Sequence, residues 1–437
     1  MTLRVRRIIY ISLIVIFFII APMIILNVAG YKYNFKKHTL EKTGIIYVST
    51  LPADVRVYVN DKLVAKKSPA IIKNLFPDNY GVKISALGYF DWQKKLPVQS
   101  GLTTFIKEQN LLKESLPILA ASGKITALFS SPAKKYLAYV EEEKNIKRVW
   151  LLNSGEGGKT NIFEAKAAAI NILWSPDENG FLLTDGLRLL EISKKIGENF
   201  NVVPSAKLPA GKFFWSTADS AVIYAVSAGA LYSFNTASSE FKKIMNLPRA
   251  EDYTIMDDKL WFMSGKNLKY WDFKNPAAPI ENVEKIGILS PVIYNIGEGW
   301  LGVANNFEGV VVDANGKKII FDAVPIKKIE SSAVNSYLLL YNDFEIWIYD
   351  KNSGSKELIT RLAEPIIGAG WHQSGEYIIF GTAKELQAIE LDSRDVRNKY
   401  TLIKLENASV MEPGEAASFY FAGQVSKNEQ GIFKLEI

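Results

Sequence analysis

Hydrophobic and polar residues follow three successive patterns along this chain. An uncharged, almost wholly apolar run extends from Ile8 to Ala29. From Gly44 to about Asn110, apolar residues recur at every second position, which is typical of half-buried strands. From about Ile118 onward, short apolar runs alternate with turns rich in Gly, Asn, Asp and Ser. The pattern predicts one apolar helix followed by an all-β chain.

The apolar run is long enough to cross a bilayer. About 20 residues at a rise of 1.5 Å span the hydrocarbon core, and transmembrane helices tolerate a proline such as Pro22. We therefore expect a short cytoplasmic tail at 1–7, a transmembrane helix at 8–29 and a tether at 30–42. A cleaved signal peptide is the alternative, but its apolar region is normally about 7–15 residues, and Asn27-Val28-Ala29 matches a cleavage site poorly. A buried helix of a soluble domain is disfavoured because the run is not amphipathic.

Charges around the run favour one orientation only weakly. Basic residues flank it on both sides: Arg4, Arg6 and Arg7 before it, and Lys32, Lys36 and Lys37 after it. The short segment before the run and the long chain after it favour a cytoplasmic N-terminus. Tyr31 and Tyr33 suit an interfacial aromatic belt. The predicted location is the cell membrane, single-pass, with the bulk of the chain extracytoplasmic.

The period-two region resembles the PEGA domain, a small surface module of prokaryotic envelope proteins. The resemblance is carried by four segments: Gly44 to Asp61, Ser68-Pro69-Ala70, Leu75 to Tyr80, and Ala86-Leu87-Gly88-Tyr89. It implies a β-sandwich domain at 43–109 that is not an enzyme, and it implies no specific ligand. The turn dipeptide Asn60-Asp61 predicts a hairpin. The sequence departs from the family pattern in two places. Pro52-Ala53-Asp54-Val55 stands in place of the name-giving Pro-Glu-Gly-Ala, and Asp78-Asn79 stands where a turn glycine is usual. We expect Asn79 to preserve this turn, because asparagine tolerates a positive φ.

The remainder of the chain repeats with a period of about 40 residues, which is typical of propeller blades. The second strands of the repeats align as Tyr136–Val140, Gly180–Thr184, Ala221–Ala225, Lys259–Met263, Gly299–Ala304, Ser336–Tyr341, Glu376–Gly381 and Ala417–Phe421. Residues 110–437 are therefore expected to form a β-propeller of about eight blades, with seven as the alternative. The last repeat ends after its third strand, so we expect a segment from the start of the repeats, residues 110–114, to complete it.

The ends of several first strands resemble TolB-like and WD-repeat propellers. They read Phe129-Ser130-Ser131-Pro132, Trp174-Ser175-Pro176-Asp177, Phe214-Trp215-Ser216-Thr217 and Trp371-His372-Gln373-Ser374. The resemblance implies a platform for partners, since this fold hosts unrelated functions. A ring of ligand-stacking tryptophans is conceivable at Trp174, Trp215 and Trp371, but packing between blades is the favoured interpretation, and it extends to Trp150, Trp271 and Trp347 on third strands.

Other candidate residues have structural interpretations. Ser175, Asp177 and Gly180 have the wrong spacing for an Asp box and suit a blade turn. His372 is interpreted as a turn or surface residue, and Glu141-Glu142-Glu143-Lys144 as a solvated hairpin tip. Asp257-Asp258 lacks the surrounding oxygen ligands of a calcium loop.

Composition removes several classes of chemistry. The chain has no cysteine, which excludes disulfides, thiolate metal sites and cysteine nucleophiles, and its two histidines, His38 and His372, lie far apart in sequence. The net charge of +6 comes from scattered residues, so we predict no nucleic-acid partner.

No phosphate-binding loop, nucleophile elbow or histidine-based metal motif is present. We predict no catalytic, cofactor-binding or metal-binding residue and no cofactor; the sequence does not identify the binding residues. The expected function is an envelope binding or scaffolding protein that is not an enzyme, with the membrane and an unknown protein or cell-surface glycan as partners. The alternatives are a glycan hydrolase or lyase that uses acidic residues in the propeller channel, and a purely structural envelope element.

Overall fold

A computed structural model describes residues 3–154, 158–196, 199–203, 208–275, 277–297, 299–305, 307–313, 318–321 and 326–437, with the side chains of 3–4, 196, 284 and 318–321 excepted. Strands hold 58% of the residues and helix 6%, which confirms the all-β prediction with one N-terminal apolar helix. The chain divides into two compact units. Unit 1 comprises Met1–Ser115 and Ile389–Tyr400, and unit 2 comprises Leu116–Ala388 and Thr401–Ile437. Met1 and Thr2 of the predicted tail lie outside the described residues.

The helix of unit 1, α1, extends over Leu3–Val28 and contains Pro22. Its stretch Val5–Val28 has a mean hydropathy of 3.0 in its most apolar window, and none of that window is buried. Such a helix serves as a membrane anchor or as a signal sequence. Gly30, at a φ of +84°, turns the chain directly after the helix. Strands β1 (Tyr31–Asn34) and β2 (Thr39–Lys42) follow as an antiparallel hairpin.

The rest of unit 1 is built from two sheets that share one hydrophobic core. The strands are β3 (Gly44–Leu51), β4 (Arg56–Val59), β5 (Lys62–Ala65), β6 (Ala70–Leu75), β7 (Asp78–Ser85), β8 (Trp92–Val98) and β9 (Thr103–Asn110). Their orders are β6-β3-β9 and β5-β4-β7-β8, with β3 and β9 parallel. Alternate side chains such as Ile46, Val57, Val82 and Trp92 fill the space between the sheets, because successive strand residues point to opposite faces.

The two turn predictions in this unit had different outcomes. Asn60 and Asp61 join β4 to β5 with φ values of 47° and 64°, so the predicted hairpin is confirmed. Asp78 and Asn79 instead begin strand β7, where they pair with β8. The left-handed residue of this region is Asn74, with φ of 61°. The expectation of a turn at Asn79 was wrong because the ladder with β8 holds that residue extended.

A fully buried ion pair joins residues 389–400 to the rest of unit 1. Lys94 Nζ lies 3.0 Å from Glu390 Oε2, and their side chains are 0% and 1% exposed. Trp92 Nε1 donates to Glu390 Oε1 at 2.6 Å, and Asn398 Nδ2 donates to Oε2 at 2.8 Å. A buried carboxylate is tolerated only with this kind of compensation. We call Lys94, Glu390 and their hydrogen-bond partners the buried clasp.

Further contacts surround the buried clasp. Lys94 Nζ also donates to the carbonyls of Asp392 and Val396. Arg394 donates to the carbonyl of Phe105 and forms an ion pair with Asp392. Burial alone would raise the pKa of Asp392, but the hydrogen bonds and charge of Arg394 outweigh it and lower that pKa. Residues 389–400 are therefore an integral part of unit 1, although they lie nearly 300 positions after Lys94 in sequence.

The strands from Ile118 onward form regular four-stranded sheets. In chain order they are β10 (Ile118–Ser122), β11 (Ile125–Ser130), β12 (Tyr136–Glu143), β13 (Ile146–Asn153), β14 (Lys159–Ala165), β15 (Asn171–Trp174), β16 (Gly180–Asp185), β17 (Arg188–Ile196), β18 (Asn199–Val203), β19 (Lys212–Trp215), β20 (Val222–Ser227), β21 (Ala230–Asn235), β22 (Glu240–Asn246), β23 (Tyr253–Met256), β24 (Lys259–Ser264), β25 (Asn267–Asp272), β26 (Glu281–Lys285), β27 (Val292–Gly297), β28 (Trp300–Ala304), β29 (Gly309–Asp313), β30 (Lys318–Phe321), β31 (Lys328–Ser331), β32 (Tyr337–Tyr341), β33 (Glu345–Asp350), β34 (Lys356–Arg361), β35 (Gly368–Trp371), β36 (Tyr377–Gly381), β37 (Glu385–Glu390), β38 (Lys399–Lys404), β39 (Asn407–Pro413), β40 (Ser418–Ser426) and β41 (Glu429–Glu436). Within the described ranges they make eight sheets, seven of which use four consecutive strands, from β11–β14 to β35–β38.

The eighth sheet draws its strands from both ends of the repeat region. Its order is β10-β41-β40-β39, with β10 antiparallel to β41. The strand that completes it is therefore Ile118–Ser122 and not residues 110–114, as the sequence suggested. The physical reason is that Leu111 and Leu112 are buried in unit 1, where Leu111 belongs to the core.

The buried clasp predicts a large and specific loss of stability in unit 1. Lys94→Met removes the ammonium and leaves the Glu390 carboxylate buried without a counter-charge, so we expect a cost of about 3–5 kcal/mol. Hydrogen exchange of strands β4, β7 and β8 in the full chain measures this cost.

The matched control is Lys95→Met, at the exposed neighbouring residue, with an expected effect within about 0.5 kcal/mol. Adding Glu390→Gln to Lys94→Met should restore part of the loss, because the stranded charge is removed. Equal effects of Lys94→Met and Lys95→Met would contradict the role of the clasp.

Candidate functional site

Three of the tryptophans singled out in the sequence make the same hydrogen bond between neighbouring sheets. Trp174 Nε1 donates to the carbonyl of Phe129 at 3.3 Å, and Trp215 Nε1 donates to that of Leu173 at 2.9 Å. Trp371 Nε1 donates to the carbonyl of Glu330 at 3.2 Å. In each case an indole on one first strand bonds to the first strand of the preceding sheet. The indoles act in packing, as expected from the repeats, and their N–H groups are not directed at a ligand.

The Ser-Pro-Asp segment of the second repeat is a turn held by its own side chains. Ser175 Oγ donates to Asp177 Oδ1 at 2.6 Å and accepts from Gly180 N at 2.9 Å. Burial alone would raise the pKa of Asp177, but hydrogen bonds from Ser175, Ser220 and Asn179 outweigh it and lower that pKa to about 2. Asp177 is therefore an ionised turn former, which fits the structural interpretation of this motif.

His372 lies inside the turn that follows β35. Its side chain is 5% exposed, its Nδ1 lies 2.8 Å from Ser374 Oγ, and its ring meets Tyr377 edge to face. Burial lowers the pKa of His372 to about 4, so the ring is neutral near neutral pH. It was expected at a turn or on the surface; it occupies the turn, but it is buried.

The acidic candidates are engaged by neighbouring side chains. Asp258 is 3% exposed and accepts from Ser216 Oγ at 3.0 Å, and Lys274 Nζ lies 2.6 Å from it. Glu142 and Glu143 form ion pairs with Lys124 and Arg148 beside a hairpin turn. Within the described part of the chain, no group of three or more His, Cys, Asp or Glu side chains has a metal-binding arrangement.

Two adjoining cavities of about 290 and 330 Å³ lie among turns of unit 2. They share the lining residues Pro132, Lys134, Ala333, Trp371 and Gln373, and together we call them the turn cleft. Its walls are the turns that join the first and second strands of four sheets, those containing β11, β31, β35 and β39. Sugar- or peptide-sized ligands occupy clefts of roughly this volume in many proteins.

One lysine–carboxylate pair lies in the wall of the turn cleft, and a second lies close enough for its charges to act on the first. Lys134 Nζ lies 3.5 Å from Glu330 Oε1, and Lys328 Nζ lies 3.1 Å from Glu412 Oε2. Burial raises the pKa of Glu412 although the charge of Lys328 opposes that shift. Burial alone would lower the pKa of Lys328, but the negative charge of Glu412 outweighs it and raises that pKa.

Glu330 also has an unmet hydrogen-bonding capacity. Its Oε2 atom is buried and has no hydrogen-bond partner among the described residues. A buried acceptor without a donor is costly in a purely structural role and is found more often at functional sites. Glu330 is therefore a residue of the turn cleft whose hydrogen bonding is incomplete within the described residues.

Sequence reasoning did not identify Lys134, Lys328, Glu330 or Glu412. Glu330 and Glu412 lie near the ends of first strands, Lys328 lies at the start of one, and Lys134 lies in the turn after another. The available signal was the pair of charged residues, Lys328 and Glu330, on the four-residue strand β31. That signal does not show that strands of different sheets bring these charges together.

A larger cavity of about 970 Å³ lies within unit 1. Its charged lining residues are Asp54, Arg56, Lys66, Asp91 and Glu114. All five are exposed, so the surrounding protein holds them less firmly than the paired charges of the turn cleft. The turn cleft is therefore the better candidate site.

Comparison with known proteins identifies one part of the chain. Residues 43–111 match the PEGA domain, which confirms the resemblance seen in the sequence. No curated protein matches the chain.

Among solved structures, the chain is similar to Kluyveromyces lactis Hsv2, with 14% identity, 62% of this chain and 100% of that chain covered, and a TM-score of 0.39. It is also similar to the uncharacterized protein lmo1340 from Listeria monocytogenes EGD-e, with 13% identity, coverage of 67% and 98%, and a TM-score of 0.44. Neither similarity identifies the function of this chain.

Burial of His372 predicts a pH-dependent stability of unit 2. Between pH 6.5 and about 4, the unfolded chain binds a proton at this residue that the folded chain does not bind. The free energy of unfolding should therefore fall as the pH falls through this window. The slope due to His372 should approach about 1.4 kcal/mol per pH unit. Above pH 6.5, the stability contributed by His372 should no longer change with pH. Chemical denaturation at a series of pH values measures the slope.

The control is His372→Gln, which keeps a hydrogen-bonding side chain but does not titrate. Its slope between pH 6.5 and 4 should be smaller than that of the wild type. Identical slopes would show that His372 is not held neutral in the fold.

Proposed function

We propose that this chain is a membrane-anchored binding or scaffolding protein, not an enzyme, that faces outward from a prokaryotic cell envelope. The anchor is α1, whose stretch Val5–Val28 is apolar and unburied. At 1.5 Å per residue its 24 residues extend over about 36 Å, enough for a hydrocarbon core of about 30 Å. The PEGA domain at residues 43–111 supports an envelope location. An uncleaved α1 with a cytoplasmic N-terminus completes this proposal.

The eight sheets formed by the strands from Ile118 onward are, in this proposal, the blades of a β-propeller. Three observations support it: the consecutive four-stranded sheets, the indole–carbonyl bonds between successive first strands, and the β10–β41 pairing. In addition, Ser130 Oγ of β11 donates to the carbonyl of Pro413 in β39 at 2.6 Å. This bond joins the first strands of the first and last sheets, as a closed ring requires.

The single observation that carries the binding function is the turn cleft with Glu330 in its wall. A carboxylate in the wall of the cleft suits a ligand that offers an N–H or O–H group, as protein main chains and glycans do. Turns from four sheets line the cleft, so a ligand bound there would contact several sheets at once. A protein or a cell-surface glycan is the proposed partner.

Recognition is favoured over hydrolysis by the charges of the cleft. Both carboxylates, Glu330 and Glu412, have a lysine ammonium within 3.5 Å. A glycan hydrolase needs one acid that can protonate the leaving group beside one free carboxylate, whereas each of these carboxylates is already engaged by a lysine. Lysine–glutamate pairs instead provide matched donors and acceptors to a polar ligand.

The absence of cysteine from the chain allows a direct test in intact cells. Gln373→Cys places a thiol in the turn cleft at an exposed position. Intact cells that carry this variant are treated with a membrane-impermeant, thiol-reactive photo-crosslinker. We expect labelling of intact cells and one discrete cross-linked adduct. Glu330→Gln in the same chain should reduce the adduct at least about tenfold, because it removes a charged acceptor from the cleft.

Ser238→Cys is the matched control, at an exposed turn of another sheet. It should be labelled equally but give no adduct that depends on Glu330. Failure of both positions to label in intact cells would contradict the outward-facing orientation. Labelling of both without an adduct that depends on Glu330 would contradict the cleft as the binding site.

A further inference from the structure

The hairpin directly after α1 has one polar and one apolar face. Register pairs Tyr33 with Leu40 and Tyr31 with Lys42 on one face, and Lys32 with Glu41 and Asn34 with Thr39 on the other. Adjacent residues of a strand point to opposite faces, so the aromatic side chains of Tyr31 and Tyr33 share a side. The segment predicted from sequence as a polar tether at 30–42 is therefore an ordered, two-sided ribbon.

The polar face is satisfied within the hairpin. Asn34 Nδ2 donates to Glu41 Oε2 at 3.0 Å, and Lys37 Nζ lies 3.1 Å from Glu41 Oε1. Asn34 Oδ1 also accepts from the backbone N–H groups of Lys36 and Lys37 in the turn. These bonds fix the turn and leave the polar face with little need of a partner.

The apolar face is exposed. Phe35, Leu40 and Tyr33 are 79%, 48% and 46% exposed, and the rings of Tyr33 and Phe35 contact each other edge to face at 5.0 Å. A two-stranded hairpin with an uncovered apolar face is at best marginally stable in water. Something is therefore expected to cover this face in the working protein.

The position of the hairpin in the chain identifies what covers it. Helix α1 ends at Val28, and β1 begins at Tyr31. Hydrogen bonds from Thr43 N and Thr43 Oγ1 to the carbonyl of Gly30, both at 2.8 Å, close the base of the hairpin. Lys32 Nζ of β1 donates to Asn27 Oδ1 of α1 at 2.6 Å and joins the hairpin to the helix. A side chain three to seven residues beyond a membrane span lies in the headgroup region, where tyrosine is favoured.

The charge of the hairpin matches an anionic surface. Between Gly30 and Thr43 there are four lysines, at positions 32, 36, 37 and 42, against one acid, Glu41. Lysines this close to a bilayer are attracted by anionic headgroups over about one Debye length. Apolar side chains beside lysines are the usual composition of elements that lie in the membrane interface.

We infer that the hairpin Tyr31–Lys42 is a lipid-binding element that inserts Tyr33, Phe35 and Leu40 into the interface of an anionic bilayer. Its lysines contact the phosphate-bearing headgroups. This inference rests on the proposed anchoring by α1 and adds to it a second attachment, which restrains unit 1 at the membrane surface beyond what a single flexible span provides.

The test uses the full chain reconstituted in vesicles. A spin label is attached at His38→Cys in the hairpin turn, and its accessibility to oxygen and to a water-soluble nickel chelate is measured. In vesicles with about 30% anionic lipid, we expect the label to be at least about threefold less accessible to the chelate than in vesicles of neutral lipid. The difference should shrink at about 1 M salt, where the Debye length is only about 3 Å.

Variants separate the apolar and charged contributions. Phe35→Ser, and the double change Lys36→Gln with Lys37→Gln, should each restore chelate access at His38→Cys. The control label is Asp61→Cys in the β4–β5 turn, a position that also has positive φ. Its accessibility should not depend on lipid, and Leu63→Ser beside it should have no effect on the label at His38→Cys.

Each contrary result has a distinct meaning. A chain that carbonate extraction removes from the vesicles overturns the anchor and this inference together. A chain that stays in the vesicles with an equally accessible label in both lipids overturns this inference alone. If shielding of the label at His38→Cys rises with the protein-to-lipid ratio and does not depend on lipid charge, a second copy of the chain covers the apolar face. That result also overturns this inference.

Discussion

Pairing between β10 and β41 is the interaction on which the arrangement of unit 2 depends. Without β10, the sheet of β39–β41 would expose the edge of β41 to solvent, and exposed edges promote aggregation. The two strands approach closely at Gly431. A Cβ at this residue would lie 2.0 Å from the carbonyl oxygen of Ala121 and 2.9 Å from atoms of Leu119 and Ser122. The glycine is therefore required by β10 itself, since all three neighbouring atoms belong to that strand.

Unit 1 depends on a long-range link of another kind. The Lys94–Glu390 pair is wholly buried, so its attraction offsets a large desolvation cost only because Trp92, Asn398 and two carbonyls complete the hydrogen bonding. Any position of residues 389–400 that separated this pair would leave a buried charge without its partner and is therefore disfavoured. In both units, then, residues far apart in sequence complete a structure that neighbouring residues begin.

The sequence predicted the features that depend on local pattern. Period-two alternation located β3, β4 and β7, the Asn60-Asp61 turn was visible as a dipeptide, and the repeated first-strand ends located the packing tryptophans. The closing strand was placed incorrectly, at 110–114, because Leu111-Leu112 and Ile118-Leu119 are both short apolar runs. Burial of Leu111 and Leu112 in unit 1 distinguishes them, and that is a tertiary property.

The candidate site was beyond prediction for a similar reason. Lys328 and Glu412 are 84 positions apart, and their pairing depends on which sheets are neighbours. Residues 392–397 contain four charged side chains and have the composition of a solvated loop, although the carbonyls of Asp392 and Val396 accept from a buried lysine. Charged residues give no periodic signal when their partners come from distant strands.

The central claim is that β10 completes the last sheet and so holds unit 2 together. The substitution Gly431→Ala tests this claim most directly. Its effect is measured by hydrogen exchange at residues 118–122 and by the unfolding midpoint of unit 2. Gly158→Ala is the control, because a Cβ at Gly158 meets nothing within 4 Å. The account predicts that Gly431→Ala costs about 1–3 kcal/mol and speeds exchange at 118–122, because the new methyl group displaces β10, while the control has little effect. An unchanged or raised midpoint for Gly431→Ala, with unaltered exchange at 118–122, would show that β10 does not lie against β41 and would contradict the account.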